Sequence, residues 1–385
     1  MQLQSYLASK PLYYDVIDYT RMPRVYAQLA PYLHIPKIIH VLGTNGKGTT
    51  GRFLASALHK RGFSVGHYTS PHILAFNERI WRDGANVSDA VLEAAHEKLQ
   101  NLLDSLEGEK LSYFEYTTLL AMLVYEGCDY VVLEAGLGGE HDATAVFPKV
   151  LTLITPIDFD HESFLGSTIE EIAATKINAM EQHAIIAEQK YPKVYEIAHA
   201  IALKKGGKVF RIAELSDAKT NKKIEAIAQK LLLPAYLKAN LELAAAALEF
   251  LGVAWEEGDF DNARLFGRMS KVAPNVYLDV GHNPLAAQSI AKELTGKKVI
   301  LVYNTYKDKD YKKILAILRP VLWHVEIINV NEGRIVARKV LEEALRELAI
   351  PTKTFEGIVD KERDYLVFGS FSVAEQFLKN GYISE

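Results

Sequence analysis

The residues with the clearest chemical potential lie in "VLGTNGKGTT", positions 41–50. A common phosphate-binding loop has four residues between its first glycine and its Gly-Lys pair, and a Ser or Thr directly after the lysine. Here only Thr44 and Asn45 separate Gly43 from Gly46, and Gly48 stands between Lys47 and Thr49. The context is nonetheless that of a phosphate cradle: an apolar strand, a glycine-rich turn, then helical spacing. Glycines let the backbone approach phosphate oxygens and turn N–H groups toward them, and a helix expected to start near Thr49 adds its positive end. Lys47 can neutralise β- and γ-phosphates, and the Thr49 hydroxyl can hold Mg²⁺ or a phosphate oxygen. The bland alternative is a glycine turn with one exposed lysine.

Three further segments set metal-binding groups at expected strand ends. "SVGHYTSPH" ends a strand at Ser70, "VVLEAGLGG" ends one at Glu134, and "LITPIDFDH" ends one with Asp160 and His161. In an open parallel sheet the carboxyl ends of the strands share one edge, where ligands bind. A hard cation such as Mg²⁺ accepts carboxylate and hydroxyl oxygens, whereas His161 alone reads equally as a hydrogen-bonding neighbour. Lys176, in "EEIAATKINAM", falls on the core face of a helix. A buried ammonium needs a partner, a depressed pKa or covalent change, such as carboxylation by CO₂; pairing or snorkelling is the simpler account. Later, "YLDVGHNPLAA" brings Asp279, His282 and the helix-capping Asn283 together, and Arg268 lies near the presumed domain joint. "TYKDKDYKK" reads as a solvated, charged helix start.

The elements that must position these groups alternate between strand and helix from about residue 37. "KIIHVL", "DYVVLEAG" and "VLTLIT" are short, apolar and β-branched, as central parallel strands are. "STIEEIAATKINAM" reads as a helix capped by Ser167 or Thr168, and "YLKANLELAAAALEFLG" as an Ala-rich helix. The alternation restarts at "NVYLDV". Two α/β units joined near residues 268–274 are expected, with domains at 1–272 and 273–385. A formal net charge of -4 argues against a nucleic-acid partner. No run of about 18 apolar residues predicts a membrane span. The single cysteine, Cys128, excludes an internal disulfide framework and suits a reducing, cytoplasmic setting. It reads as a small buried residue.

Taken in order, the motifs resemble the folylpolyglutamate synthase/dihydrofolate synthase family of the Mur ligase superfamily. "GTNGKGT", "SPHILAFNERI", "FEYTTLLA", "LEAGLGGEHDAT", "DHESFLGSTIEEIA", "FGRM", "DVGHNP" and "DKD" carry the resemblance across most of the chain. It implies a P-loop-type, mostly parallel N-terminal α/β domain and a smaller Rossmann-like α/β C-terminal domain. It implies ATP on Asn45, Gly46, Lys47, Gly48 and Thr49, completed by Asn240, Arg268, Asp279 and His282. Two Mg²⁺ sites would use Ser70, Glu134 and His161, with Lys176 in the place of a carboxylated lysine; Lys47, Lys176 and His161 are the implied catalytic groups. Phe114, Glu115 and Thr117 would line a pterin pocket.

The implied reaction is ATP-dependent joining of L-glutamate to dihydropteroate or a reduced folate through an acyl phosphate, in a monomer acting on small molecules. Glu140, Ala145 and Thr175 stand where the family usually has Arg, Asn and Glu, and "PAYLKAN" lacks the usual His-Gln before Asn240. These departures bear on recognition of the pteroate or folate tail. Two rival readings are a muropeptide ligase acting on a UDP-sugar and a nucleotide switch without ligase chemistry. "FEYT" favours a pterin over the first, and a switch would need neither Lys176, His161 nor "GHNP".

Overall fold

The structure, a computed structural model, describes residues 2–11, 18–104 and 110–384. The chain forms two compact units, Met1–Leu233 with Leu237–Arg264, and Pro234–Tyr236 with Leu265–Glu385.

The first unit is built on eight strands: β1 (Lys37–Leu42), β2 (Val65–Tyr68), β3 (Ile80–Arg82), β4 (Ala85–Asn86), β5 (Tyr130–Glu134), β6 (Lys149–Ile154), β7 (His183–Ile186) and β8 (Lys208–Arg211). Their order is β4-β3-β2-β5-β1-β6-β7-β8. The pairs from β2 to β8 are parallel, and β3 and β4 add an antiparallel edge. β1 is apolar on both faces because both are covered. Ile39 and Val41 pack with Phe53, Leu58 and Leu241, whereas Ile38 packs with Leu29, Leu120 and Leu133. From β1 the chain crosses toward β2, and from β6 it crosses the other way toward β7. The carboxyl ends of β1 and β6 therefore flank a topological switch point, where open α/β sheets bind ligands.

The second unit holds β9 (Ser270–Ala273), β10 (Val276–Leu278), β11 (Val299–Tyr303), β12 (Leu322–Ile327), β13 (Thr352–Thr354), β14 (Ile358–Val359), β15 (Tyr365–Phe368) and β16 (Ile383–Ser384). Six of these form a sheet in the order β13-β12-β11-β15-β10-β9, parallel except for β9; β14 and β16 pair separately. Leu301 and Leu366 pack with Ile314, Leu318 and Leu341 from its helices. Because β9 pairs with β10, this unit begins before residue 273. It also takes Pro234–Tyr236, whose Tyr236 hydroxyl donates to Asp279 Oδ2 at 2.7 Å.

The expected parallel α/β architecture is present, and several local expectations change. The helix after the glycine turn begins at Lys47, not Thr49. β6 stops at Ile154, so Asp160 and His161 stand on a loop rather than at a strand end; Pro156 lacks the N–H a central strand needs. The hairpin β3–β4 and the helices Asp89–Asp104 and Ala218–Lys230 add elements the sequence reading passed over. Among the described residues no helix is long and apolar enough to cross a membrane. Cys128 is a buried free thiol whose pKa burial pushes up.

Candidate active site

The turn after β1 is stitched to the segment after β6. Thr44 N–H donates to the Pro156 carbonyl at 2.9 Å, and Thr44 Oγ1 donates to the Asp158 carbonyl at 3.0 Å while accepting from Asp158 N–H at 3.1 Å. A Cβ on Gly43 would fall 2.0 Å from Thr155 Oγ1, so the two segments meet only because that position lacks a side chain. Gly46 precedes the helix Lys47–Lys60 at φ 93°, a left-handed conformation that favours glycine, and, lacking a side chain, cannot cap the helix. Asn240 packs against it: a Cβ on Gly46 would lie 2.4 Å from Asn240 Oδ1. The Thr49 and Thr50 hydroxyls are buried without a hydrogen-bond partner, the one at the start of the helix being the expected phosphate or cation ligand. An orphaned buried hydroxyl is costly unless something fills it.

Two ammonium groups converge on one carbonyl. Lys47 Nζ lies 3.2 Å from Gly43 O and from Thr44 O, and Lys176 Nζ lies 3.1 Å from Gly43 O. Lys176 comes from the helix Ile169–Ile177, which Thr168 starts through a capping box with Glu171. Lys176 is buried, as its place on the core face predicts, and its pKa falls to about 7. Desolvation is the main cause; the Lys47 charge adds to it, and Asp160 and Asp142 oppose it. At neutral pH a large share of Lys176 is thus an uncharged amine.

Glu134 ends β5 as expected and is buried. Its Oε2 accepts from the Thr69 hydroxyl and from Ser70 N–H at 3.3 Å, so the carboxylate and the segment after β2 are brought together. His161 is partly open, at φ 53°, with Nε2 3.8 Å from Asp160 Oδ1. Among the described residues no three His, Cys, Asp or Glu side chains gather as a metal group. The expected set contains only two such residues, Glu134 and His161, and otherwise relies on Ser70 and Lys176.

A cleft of ≈ 200 Å³ lies beside this edge, with Phe114, Glu115, Arg21, Tyr19, His141 and Phe164 among its walls. Glu115 caps the helix Tyr113–Val124 reciprocally with Ser112 and binds Arg21 at 3.0 Å. Thr117 is not a wall residue: it is fully buried, with Oγ1 3.0 Å from the Tyr68 hydroxyl. Arg21, Tyr19 and His141 were not singled out by sequence. The only local signal for Arg21 is the Met22, Val25, Leu29 spacing, which marks a packed helix carrying it at its start. Two of the atypical positions meet here too, with Glu140 N–H donating to the Thr175 carbonyl at 2.8 Å and Glu140 Oε2 accepting from Asn178 at 3.0 Å.

In the second unit the Asp279 carboxylate is occupied locally. It accepts from the Tyr236 hydroxyl, from Met269 N–H at 2.9 Å and from Gly281 N–H at 2.8 Å. Asn283 caps the helix Pro284–Glu293 by accepting from Ala286 N–H at 2.9 Å. His282 and Arg268 both neighbour the Phe371 ring, at 6.4 and 5.5 Å.

Fold and site together define a nucleotide-binding α/β protein with a modified phosphate loop at its switch point. No family model matches the chain. It is 30% identical to the dihydrofolate synthase/folylpolyglutamate synthase of Haemophilus influenzae, over 91% of this chain and 90% of that protein. With the Escherichia coli protein of the same name it is 32% identical, over 84% and 80%. Among solved structures, Helicobacter pylori folylpolyglutamate synthetase superposes with a TM-score of 0.78 at 38% identity, covering 98% of this chain and 97% of that one. E. coli FolC in complex with DHPP and ADP gives 0.82 at 28% identity, covering 98% and 96%. The chain belongs to the dihydrofolate synthase/folylpolyglutamate synthase family, and is thereby an ATP-dependent ligase of folate metabolism.

Proposed function

We propose that the chain joins L-glutamate to dihydropteroate, a reduced folate or both. A substrate carboxylate oxygen attacks the γ-phosphorus of ATP, the bond to the β,γ-bridging oxygen breaks, and ADP leaves. The glutamate amine then attacks the acyl carbon, phosphate departs, and the nitrogen loses a proton. Positioning and charge neutralisation do most of this work, because phosphoryl transfer asks little covalent chemistry of the protein.

The observation that carries the reading is the uncapped helix start behind Gly46, with Lys47 beside it and the Thr49 hydroxyl unpartnered. In this reading Asn45, Gly46, Lys47, Gly48 and Thr49 hold the phosphates, and Asn240 fixes Gly46. Arg268 and His282 are the second unit's candidate nucleotide contacts, while Asp279 holds their turn. Mg²⁺ fits the donors present, since Glu134, Ser70 and the orphaned Thr49 hydroxyl offer hard oxygens; His161 and a modified Lys176 would add to them. When bound, the cation neutralises charge on the phosphoryl group being transferred. Lys176 suits carboxylation, in which its neutral amine adds CO₂ and releases a proton, leaving an anion where an ammonium stood. Phe114 and Glu115, with Arg21, are the cleft's candidate contacts for the pterin. A monomer in the cytoplasm belongs to the same reading.

The deciding measurement is ADP release with dihydropteroate or a reduced folate, each with and without L-glutamate. Release that requires an acceptor and glutamate is expected. Hydrolysis indifferent to both would overturn the ligase reading, and activity with dihydropteroate alone would restrict it to dihydrofolate synthesis.

A further inference from the structure

The second unit carries a separate cavity of ≈ 450 Å³ at the opposite end of its sheet from Asp279. Its walls come from the amino ends of the parallel strands: Ile300 of β11, Trp323 of β12, Thr352 of β13 and Tyr365 of β15. The volume falls within the range of small-molecule sites, roughly 300–1,000 Å³.

Its polar groups are held in place from below. Glu326 is almost fully buried, and its Oε1 takes Lys353 Nζ at 3.2 Å and His324 Nε2 at 3.1 Å. Glu326 and Lys353 are register partners across β12 and β13, so the sheet itself fixes this trio. The loop at 360–363 is pinned as well. Asn275 Nδ2 donates to the Asp360 and Arg363 carbonyls at 2.9 and 2.6 Å, and Asp360 N–H donates to the Tyr365 hydroxyl at 3.2 Å. Trp323 is 51% exposed, and the Arg363 guanidinium lies 5.1 Å from its ring centroid. Arg363 has no ion pair among the described residues. An open indole, two cations and one carboxylate (Asp360) thus share one cavity.

We propose that this cavity is a second ligand site, for an amino-substituted heteroaromatic ring bearing an acidic group. The ring stacks on the open part of Trp323, the acid meets Arg363 and Lys353, and an exocyclic amine meets Asp360. Stacking on an indole and bidentate recognition by a guanidinium are what such a ligand needs. Adenine nucleotides and folates share this chemistry, and both belong to the family's reaction.

Trp323 is its own reporter, because Trp81 and Trp255, the chain's two other tryptophans, are only 5% and 3% exposed. The full chain, labelled with 5-fluorotryptophan, would be titrated separately with ADP and with 5-formyltetrahydrofolate, and the Trp323 resonance assigned with Trp323→Phe. A saturable shift of that resonance is expected with at least one ligand, and the ligand that produces it identifies the source. The shift should persist in Lys47→Ala, which disables the phosphate loop. Arg363→Ala should raise its half-saturation concentration about tenfold while leaving turnover unchanged. A Trp323 resonance unmoved by both ligands overturns the proposal. So does a shift that vanishes in Lys47→Ala, or one indifferent to Arg363→Ala, whatever the ligase assays show.

Discussion

After β1 the chain turns through Gly43–Gly46 into a helix, and after β10 it turns through Asp279–Asn283 into another. The two turns share a topology and differ in what their helix starts do with free N–H groups. At the second, Asn283 accepts from Ala286 N–H, Pro284 removes one donor, and Asp279 takes up the Gly281 amide of the turn and the Met269 amide beyond it. At the first, a left-handed glycine stands at the cap position and makes no side-chain cap. A helix start without a side-chain cap, with a lysine beside it, is suited to an anion. One capped by its own side chain holds its turn from within, as Asn283 does beside His282. The difference separates two stretches that look equally functional when written as "GTNGKGT" and "DVGHNP".

Substitutions should divide along the same line. The largest effect is expected from Lys47→Ala, with kcat/KM falling on the order of 10³-fold while the circular dichroism spectrum stays unchanged. A loss under tenfold would remove Lys47 from the phosphate site. Next comes the buried neighbour of Lys47. Lys176 is lowered to about 7 in the fold against 10.5 when free, so between those pH values the unfolded chain binds the extra proton. Stability should therefore rise with pH across that window, on the order of 2 kcal/mol from pH 7 to 9. Urea unfolding in CO₂-depleted buffer would measure the rise, and Lys176→Met should flatten it.

Gly46→Ala should cost about 1–2 kcal/mol for the left-handed conformation and raise KM for ATP. Adding Asn240→Ala should restore part of the loss by relieving the contact with Oδ1, but not the part due to φ. At the second turn Asn283→Ala should cost about 1 kcal/mol in thermal unfolding and leave KM for ATP within twofold, about the scatter such an assay allows. A KM change as large as that of Gly46→Ala would erase the distinction between the turns.

Much of the first turn was legible in the sequence. The bounds of β1, the glycine spacing and the core-face position of Lys176 are all local patterns, and the structure reproduces them. What failed was also local. Thr49 looked like the first helical residue because glycines disfavour helices, yet the helix absorbs Gly48 and begins two residues earlier. His161 was read onto a strand because "LTLIT" runs smoothly into "PIDFDH". The cleft was legible only in part, through Phe114 and Glu115. Arg21 reaches Glu115 across 94 positions, and no periodicity links residues that far apart. Thr117 shows the opposite difficulty: it belongs to the same helix as Phe114 but points inward, to Tyr68. A motif names a helix more easily than it names the face that meets solvent.

Cys128, the only cysteine in the chain, is sealed in the core with its thiolate disfavoured. To a maleimide or an iodoacetamide the native protein should thus be almost blank. A single cysteine introduced beside Trp323 or on the Phe164 rim would be the one addressable handle. Dyes could then be attached to either site without first stripping the wild-type sequence of competing sulfur.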